Sequence, residues 1–409
     1  LGLTVRTLAV LSMHTSPLAQ PGAGDSGGMN VYVRELVSAL AQAGVRTDVY
    51  VRRWRDDLPE VVEVEPGFRV VHIDAGPADL VKEKLADVVD DFTDAVGDHL
   101  ASSHQTDAIH ANYWLSGLAG HRLKHELSLP LVSTFHTLAR VKAEMGDAEP
   151  ARRARAETEV IGCSDAILAS CEAEATQLVE LYGAARDRIE IVPPGVDHAF
   201  FSPGERGGAR RALHLGDHPV LLFVGRIQPL KGADVAIRAL GELSVLHPDA
   251  LLVVVGGASG EDGPAEEVHV RGLVSELGLA DRVRFVPPQP HHLLSTYYRA
   301  ADVCVVPSRS ESFGLVALEA AACGTPVVAA DVGGLTTLVD HGATGFLVDE
   351  RDPAVYARFV DAILSDPAQA AGMGRAAALR SRDYRWSTTA GRLRRVYADL
   401  TARALVECA

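Results

Sequence analysis

Apolar strand-like runs alternate with helix-patterned segments along this chain of 409 residues, and the whole alternation occurs twice. In the first half, 6–13 reads as a strand, Gly27 and Gly28 introduce a helix over 29–43, and 45–52 reads as the next strand. In the second half, 218–226 reads as a strand, a loop through Lys231 and Gly232 opens a helix from 233 to about 246, and 250–257 follows as a strand. Strands that alternate with helices favour parallel sheets covered by helices on both faces, because a parallel crossover needs a helix-length connection. The length exceeds what one core usually organises, so the expected fold class is α/β with two Rossmann-like domains facing across a cleft. Between them, 191–208 is rich in Pro and Gly and reads as a linker. The expected domains are therefore 1–195 and 196–385. The stretch 386–409 has helical spacing and no strand partner, so it should pack back onto one of the domains, and the first is the assignment taken.

Charge and cysteine usage narrow the function. A formal net charge of −15 argues against nucleic acid as a partner, since phosphate backbones need a basic field. The five cysteines (163, 171, 304, 323 and 408) are odd in number and lack paired spacing, which indicates neither a disulfide framework nor a zinc site. A reducing cytoplasm is the expected compartment. The apolar opening over 3–13 is too short for a membrane span and runs into a polar, Gly-rich loop, so it reads as a first buried strand.

The most telling local pattern is a pair of carboxylates, Glu311 and Glu319, with seven small or apolar residues dominating the interval. Ser310 or Ser312 is placed to cap a helix whose first turn includes Gly314, and Gly324 with Pro326 should end it. On such a helix the two carboxylates would stand roughly 12 Å apart along the axis and about 80° apart in azimuth. Two glutamates at this spacing are commonly solvated surface charges. Here Val316, Leu318, Ala320, Ala321 and Ala322 leave almost no polar face, so Glu319 reads as a buried carboxylate that needs a partner. An elongated anion held at the helix N-terminus, with hydroxyl groups beside each carboxylate, fits this layout.

Three loops add candidates. The loop over 12–30 carries Gly27-Gly28 ahead of a helix, where bare backbone lets a phosphate or sugar approach. The loop over 225–232 follows a strand and carries Arg226 and Lys231, a fork and a point charge suited to a diphosphate. Segments 110–114 and 134–138 place His110, Tyr113, His136 and Thr137 at successive strand ends. No Asp-x-Asp triplet occurs, so cationic side chains and helix dipoles would have to hold the diphosphate.

Glu311-x7-Glu319, the 225–232 loop and Gly27-Gly-Met-Asn30 together resemble the retaining GT-B glycosyltransferases, which use nucleotide sugars. The resemblance runs along nearly the whole chain. Segments 12–18, 20–30, 113–117 and 136–138 look most like the branch of that family that opens mycothiol synthesis. The resemblance implies transfer of GlcNAc from UDP-GlcNAc to 1D-myo-inositol 3-phosphate with retention at the anomeric carbon. By motif, Arg226 and Lys231 would hold the diphosphate, Gly28 would approach it through its backbone, and Glu319 would bind the ribose hydroxyls. Glu311 would hold the sugar, with Gln20, Pro21 and the backbone near Gln289 completing the donor site. The implied catalytic set is Arg226, Lys231, His136 and Glu311. For the acceptor the matching positions are His14, Asp25, Ser26, Gly27, Gly28, Met29, Asn30, Lys82, Tyr113, Thr137 and Arg152. Lys84 beside Lys82 and Arg153 beside Arg152 leave each phosphate assignment open to its neighbour, and Asn112 stands where relatives often carry a second His. The resemblance also implies a structural Mg²⁺ held by Tyr298, Arg299, Ala301 and Thr325. Small-molecule partners and no membrane span are expected, and a homodimer is left open. The competing readings are a mannosyl- or sucrose-phosphate-type transferase of the same fold, a UDP-GlcNAc epimerase, and a nucleotide-sugar-binding protein without turnover.

Overall fold

In the computed structural model, which describes residues 5–22, 24, 26–103, 106–147, 149–260 and 262–408, the strands gather into two sheets. The first contains β1 (Thr7–Leu11), β2 (Arg46–Arg52), β3 (Val61–Glu65), β4 (Phe68–Ile73), β5 (Ala108–Asn112), β6 (Leu131–Thr134), β7 (Ala166–Ala169) and β8 (Ile189–Ile191). Its order is β3-β4-β2-β1-β5-β6-β7-β8, parallel except for the antiparallel edge strand β3. The second contains β9 (Val220–Val224), β10 (Leu251–Val255), β11 (Val283–Val286), β12 (Val303–Val306), β13 (Val327–Ala330) and β14 (Gly345–Val348). It is all parallel, in the order β11-β10-β9-β12-β13-β14. The chain divides into two Rossmann-like units: 1–18, 32–195 and 386–409 form one, and 19–31 with 196–385 form the other.

The composition of the strands explains this architecture. Runs such as Val220–Val224 and Leu251–Val255 are apolar at every position, as strands buried on both faces must be. Alternate residues then serve opposite cores. Leu221, Phe223, Leu252 and Val254 pack with Ala236, Leu240, Val360 and Ile363 on one face. Val220, Leu222, Val253 and Val255 pack with Tyr298, Leu318 and Ala320 on the other. In the first unit, Ala9, Leu11, Ile109 and Ala111 meet the helices Val89–Ser103 and Tyr113–Leu127 through Phe92, Val96, Ala119 and Leu123. The helix Trp386–Thr401 belongs to this unit: Tyr397 Oη lies 2.8 Å from His110 Nδ1, and Thr389 Oγ1 donates to Pro193 O at 2.8 Å.

Two expectations need correction. The helix carrying Glu319 spans Leu315–Ala322, with Gly314 at φ 104° as its N-cap and no side-chain cap, so neither Ser310 nor Ser312 caps it and Glu311 lies outside it. The reason is tertiary. Gly334 N donates to Glu311 O at 2.9 Å, and a side chain at Gly333 would collide with that same carbonyl, so 311–314 is held as a loop against the Gly333-Gly334 backbone. The axial and azimuthal spacing that assumed one helix therefore does not apply. Second, Cys163 and Cys408 are joined in a disulfide, with Cα atoms 4.9 Å apart, while Cys171, Cys304 and Cys323 are buried free thiols. A sequence separation of 245 residues hid that pairing.

Candidate functional site

In the second unit, glycines bring successive strand ends close together. Gly256, just after β10, takes φ 150° because a side chain there would run into Gly225 O after β9. Gly232, at φ 75°, caps the helix Ala233–Glu242, and its bare Cα faces Pro307 O after β12. Arg309 N donates to Leu230 O at 2.8 Å, fastening the 225–232 loop to the 307–311 loop. Lys231 Nζ consequently reaches Glu311 Oε2 at 2.6 Å, with both side chains about one-fifth exposed. The segment 19–31 runs along the same strand ends within this unit. A Cβ on Gly27 would lie 3.2 Å from Arg226 Nε, one on Gly28 3.6 Å from Leu315, and one on Gly22 3.3 Å from Pro288. Gln20 is exposed and Pro21 half-buried, and Asn30 Oδ1 accepts from Gly27 N at 2.8 Å, which sets the turn into the helix Gly28–Gln42. Ser26 is buried, Met29 is half-buried, and Asp25 lies outside the described residues.

Glu319 is 5% exposed, and the partners its burial demands are His291 and Tyr298. His291 Nε2 lies 2.6 Å from Oε1, and Tyr298 Oη donates to Oε2 at 2.8 Å. Burial first, then the adjacent Glu319, raises Tyr298 well above the usual phenol range, so its hydroxyl remains a donor. One carboxylate is thus fixed in the interior while the other, Glu311, pairs with the Lys231 ammonium nearer the surface. Beside them, the helix Leu315–Ala322 begins on a glycine without a side-chain cap, which leaves its first amides to an outside acceptor. Gln289 sits after β11, with Nε2 on Pro287 O at 2.9 Å, immediately before the turn that presents His291.

The four residues expected around Mg²⁺ lie at the end of the helix Leu294–Ala300 and just before β13. Thr325 Oγ1 is 2.7 Å from Tyr298 O, near the roughly 2.9 Å edge between neighbouring oxygens of a Mg²⁺ octahedron. A helix C-terminus also favours a cation. Ala301 contributes backbone at that terminus, whereas the Arg299 side chain turns away to Ser202 O at 2.8 Å. The oxygens fit such an ion, with water completing its shell.

In the first unit the strand ends carry side chains instead. Tyr113, directly after β5, has φ 74°, and His136, two residues after β6, has φ 61°. Among the described residues they are two of four non-glycine residues with positive φ. His136 Nε2 donates to Asn112 Oδ1 at 2.9 Å and its ring meets Tyr32 edge-on at 4.8 Å. Burial, then neighbouring His110, lowers His136 to about 3, so it is neutral near pH 7. His110 is likewise lowered to about 3 by burial, and is held between Thr134 and Tyr397 as a structural residue. The His14 ring packs 4.4 Å from Tyr113.

The arginine pair divides its work. Arg153 is 3% exposed, lies 4.9 Å over the Tyr113 ring, and donates to Glu157, Glu149, Thr137 O and Thr137 Oγ1 at 2.8–2.9 Å. Nearly all of its donors are committed, so it positions Thr137 and Tyr113. Arg152 is exposed, donates to Glu83 O at 2.8 Å, and stands 3.6 Å from Asp87. That contact brings it to the turn Lys82–Val88, where Lys82 is half-buried and Lys84 exposed. The structure therefore gathers Lys82, Arg152, Thr137 and Tyr113 around one region of this unit, and Arg226, Lys231, Glu311 and Glu319 around strand ends of the other. Sequence reasoning missed His291, and it named Arg153 only as an alternative phosphate ligand to Arg152. A histidine after a proline-rich turn gives no signal of its target, and adjacent arginines differ only in which face of the helix Ala151–Cys163 they occupy.

Residues 27–195 match the family model described as glycosyl transferase 4-like domain, and residues 209–380 match glycosyl transferases group 1. A D-inositol 3-phosphate glycosyltransferase of Acidothermus cellulolyticus is 46% identical, covering 98% of this chain and 91% of that protein. One of Streptosporangium roseum is 45% identical, covering 97% and 94%. Among solved structures, a sucrose-phosphate synthase from Thermosynechococcus elongatus superposes with a TM-score of 0.91 at 34% identity, covering 97% of this chain and 99% of that one. Anabaena Alr3699/HepE, solved with UDP and glucose, shares the fold at a TM-score of 0.78 and 20% identity, covering 95% and 98%. Two Rossmann-like parallel-sheet units, both glycosyltransferase family models and near-full-length likeness to these relatives place the chain among the GT-B glycosyltransferases, and it belongs to the family of the D-inositol 3-phosphate glycosyltransferases.

Proposed function

We propose that this glycosyltransferase moves GlcNAc from UDP-GlcNAc to 1D-myo-inositol 3-phosphate with retention of configuration, releasing UDP in the cytoplasm as a step toward mycothiol. The observation that carries the donor half is the Lys231–Glu311 pair beside the uncapped start of the helix Leu315–Ala322, with Arg226 at the neighbouring strand end. The names of the relatives support the acceptor half. In this reading the departing UDP gathers negative charge that Arg226, Lys231 and the helix amides stabilise. Glu311 orients Lys231 and binds sugar hydroxyls, and Glu319, already fixed by His291 and Tyr298, offers its remaining lone pairs to the ribose. Gln20, Pro21, Gly28 and the backbone near Gln289 border the donor.

The neutral His136 serves as a hydrogen-bond partner for a substrate hydroxyl rather than as a cation. No carboxylate is assigned as nucleophile, so displacement occurs on one face and a UDP phosphate oxygen takes the acceptor proton. Lys82 and Arg152 hold the acceptor phosphate, and Thr137 and Tyr113, braced by Arg153, flank the inositol with His14; Ser26, Gly27, Met29 and Asn30 join the acceptor set on the family resemblance alone. The Tyr298 and Thr325 oxygens would hold a Mg²⁺, whose charge would serve structure and take no part in the transfer. The test is incubation with UDP-GlcNAc and inositol 3-phosphate, reading UDP release and the anomeric configuration of the product by NMR. Acceptor-dependent release with retained configuration is expected; inverted configuration, or release indifferent to the acceptor, contradicts the reading.

A further inference from the structure

Away from the strand ends, the first unit gathers four residues with the donor atoms of a transition-metal site. His121, His125, Cys163 and Cys408 each offer one ligand atom, and all four atoms lie within 4.8 Å of one another. The two histidines are four residues apart on the helix Tyr113–Leu127, so they share a face. Cys163 ends the helix Ala151–Cys163, and Cys408 lies in the irregular stretch after the helix Trp386–Thr401. Val406 N donates to Asp165 Oδ1 at 2.6 Å, which pins that stretch two residues before Cys408. His125 Nε2 is 3.0 Å, and His121 Nε2 3.4 Å, from Cys408 Sγ. With Zn–N of about 2.0–2.1 Å and Zn–S of about 2.3 Å, the N–S edge of a tetrahedral site is roughly 3.6 Å, close to the His121 spacing and about 0.6 Å longer than that of His125.

The outer shell points the same way. His121 Nδ1 lies 3.2 Å from Glu159 Oε1, an acceptor that fixes the tautomer and leaves Nε2 with its lone pair toward Cys408. Carboxylates in this position orient metal-bound imidazoles. Two thiolates and two imidazoles form a set that suits Zn²⁺ and disfavours Mg²⁺ or Ca²⁺.

We propose that in the reduced chain His121, His125, Cys163 and Cys408 form a Cys2His2 site for Zn²⁺ that fastens the C-terminal segment to the helices Tyr113–Leu127 and Ala151–Cys163. The disulfide and the metal are alternative occupants. A dithiol reductant supplies two electrons and two protons to the Cys163–Cys408 bond, giving two thiols while its own sulfurs close into a disulfide; Zn²⁺ then displaces one proton from each thiol and takes a lone pair from each neutral imidazole. The sulfurs separate by roughly 1.7 Å, from a bonded pair to a tetrahedral edge of about 3.8 Å, a change that the irregular stretch at 402–408 accommodates.

The probe is Co²⁺ added to the reduced full chain under anaerobic conditions. Expected are intense visible bands of tetrahedral cobalt and a near-ultraviolet thiolate-to-cobalt band, saturating at one ion per chain and displaced by Zn²⁺. Cys408→Ser should abolish the two-thiolate spectrum, whereas Cys171→Ser should leave it unchanged. His125→Ala, at an exposed position, should weaken binding without disturbing the fold, and Glu159→Gln should weaken it about 10–100-fold. The pale spectrum of octahedral cobalt in the reduced wild type, or an unchanged tetrahedral spectrum in Cys408→Ser, would overturn the proposal and leave a redox pair only.

Discussion

The two units treat the C-terminal ends of their strands in opposite ways. The second strips side chains away: Gly232, Gly256 and Gly314 occupy positive-φ positions where backbone meets backbone or begins a helix. The first keeps bulky side chains at such positions, Tyr113 at φ 74° and His136 at φ 61°, at a cost of order 1–3 kcal/mol each. Bare backbone with nearby cations suits a diphosphate, whose oxygens take amide hydrogens at close range. Aimed rings suit the polyol ring of an acceptor, which needs shape and directional hydrogen bonds, while its phosphate is left to Lys82 and Arg152. Under the proposed function, the division of labour between donor and acceptor is built into the backbone as well as into the side chains.

The comparison breaks most visibly at Lys231. Lys231→Ala should lower kcat by about 10²–10³-fold, the usual effect of losing one preorganised donor to a developing charge, with donor KM changing much less. If steady-state kinetics showed a raised KM and intact turnover, Lys231 would be a binding group only. Next in size, Gly232→Ala should destabilise the chain by roughly 2–4 kcal/mol in urea titration, because its Cβ would meet Pro307 O at φ 75°.

His136→Gly is the mirror experiment. Relief of strain should offset the lost Asn112 hydrogen bond, leaving stability within about 1 kcal/mol of wild type while turnover falls. A large drop in stability would mean that the His136 backbone is not strained for function. The last comparison is the response to acid. The folded-state values of His110 and His136 lie near 3, below the 6.5 of an unfolded histidine, so the unfolded chain binds protons first. Their neutral forms therefore support the fold fully above about pH 6.5, and that support declines as pH falls toward 3. The urea midpoint should drop between pH 7 and 5, with a shallower slope in His136→Gln.

The strand and helix alternation was legible in the sequence because the inner strands of the second sheet are apolar on both faces, a pattern that Val220–Val224 shows without interruption. The pairing of the 225–232 loop with Glu311 was legible only as company within one domain. The contact itself depends on Gly232 meeting Pro307, a relation between strand ends that no local pattern encodes. The buried state of Glu319 followed from its apolar neighbours, but its partners His291 and Tyr298 lie 28 and 21 residues away. The helix start was misplaced because serines at 310 and 312 carry a capping signal, which the packing of 311–314 on Gly333-Gly334 overrides. The i,i+4 histidines at 121 and 125 drew no reading from the sequence, because without the fold nothing links them to Cys408.

The central claim, a second unit whose Arg226 and Lys231 serve the nucleotide and a first unit that selects a phosphorylated acceptor, is tested most directly by acceptor discrimination. The measurement is kcat/KM for inositol 3-phosphate against free inositol, with UDP-GlcNAc saturating, in the wild type and in a Lys82→Ala, Arg152→Ala double variant. The account predicts a preference of at least about 10²-fold for the phosphorylated acceptor, since charge-assisted hydrogen bonds are each worth about 1.5–3 kcal/mol, and collapse of that preference in the double variant. Equal use of both acceptors by the wild type, or a preference untouched by the double variant, would contradict it.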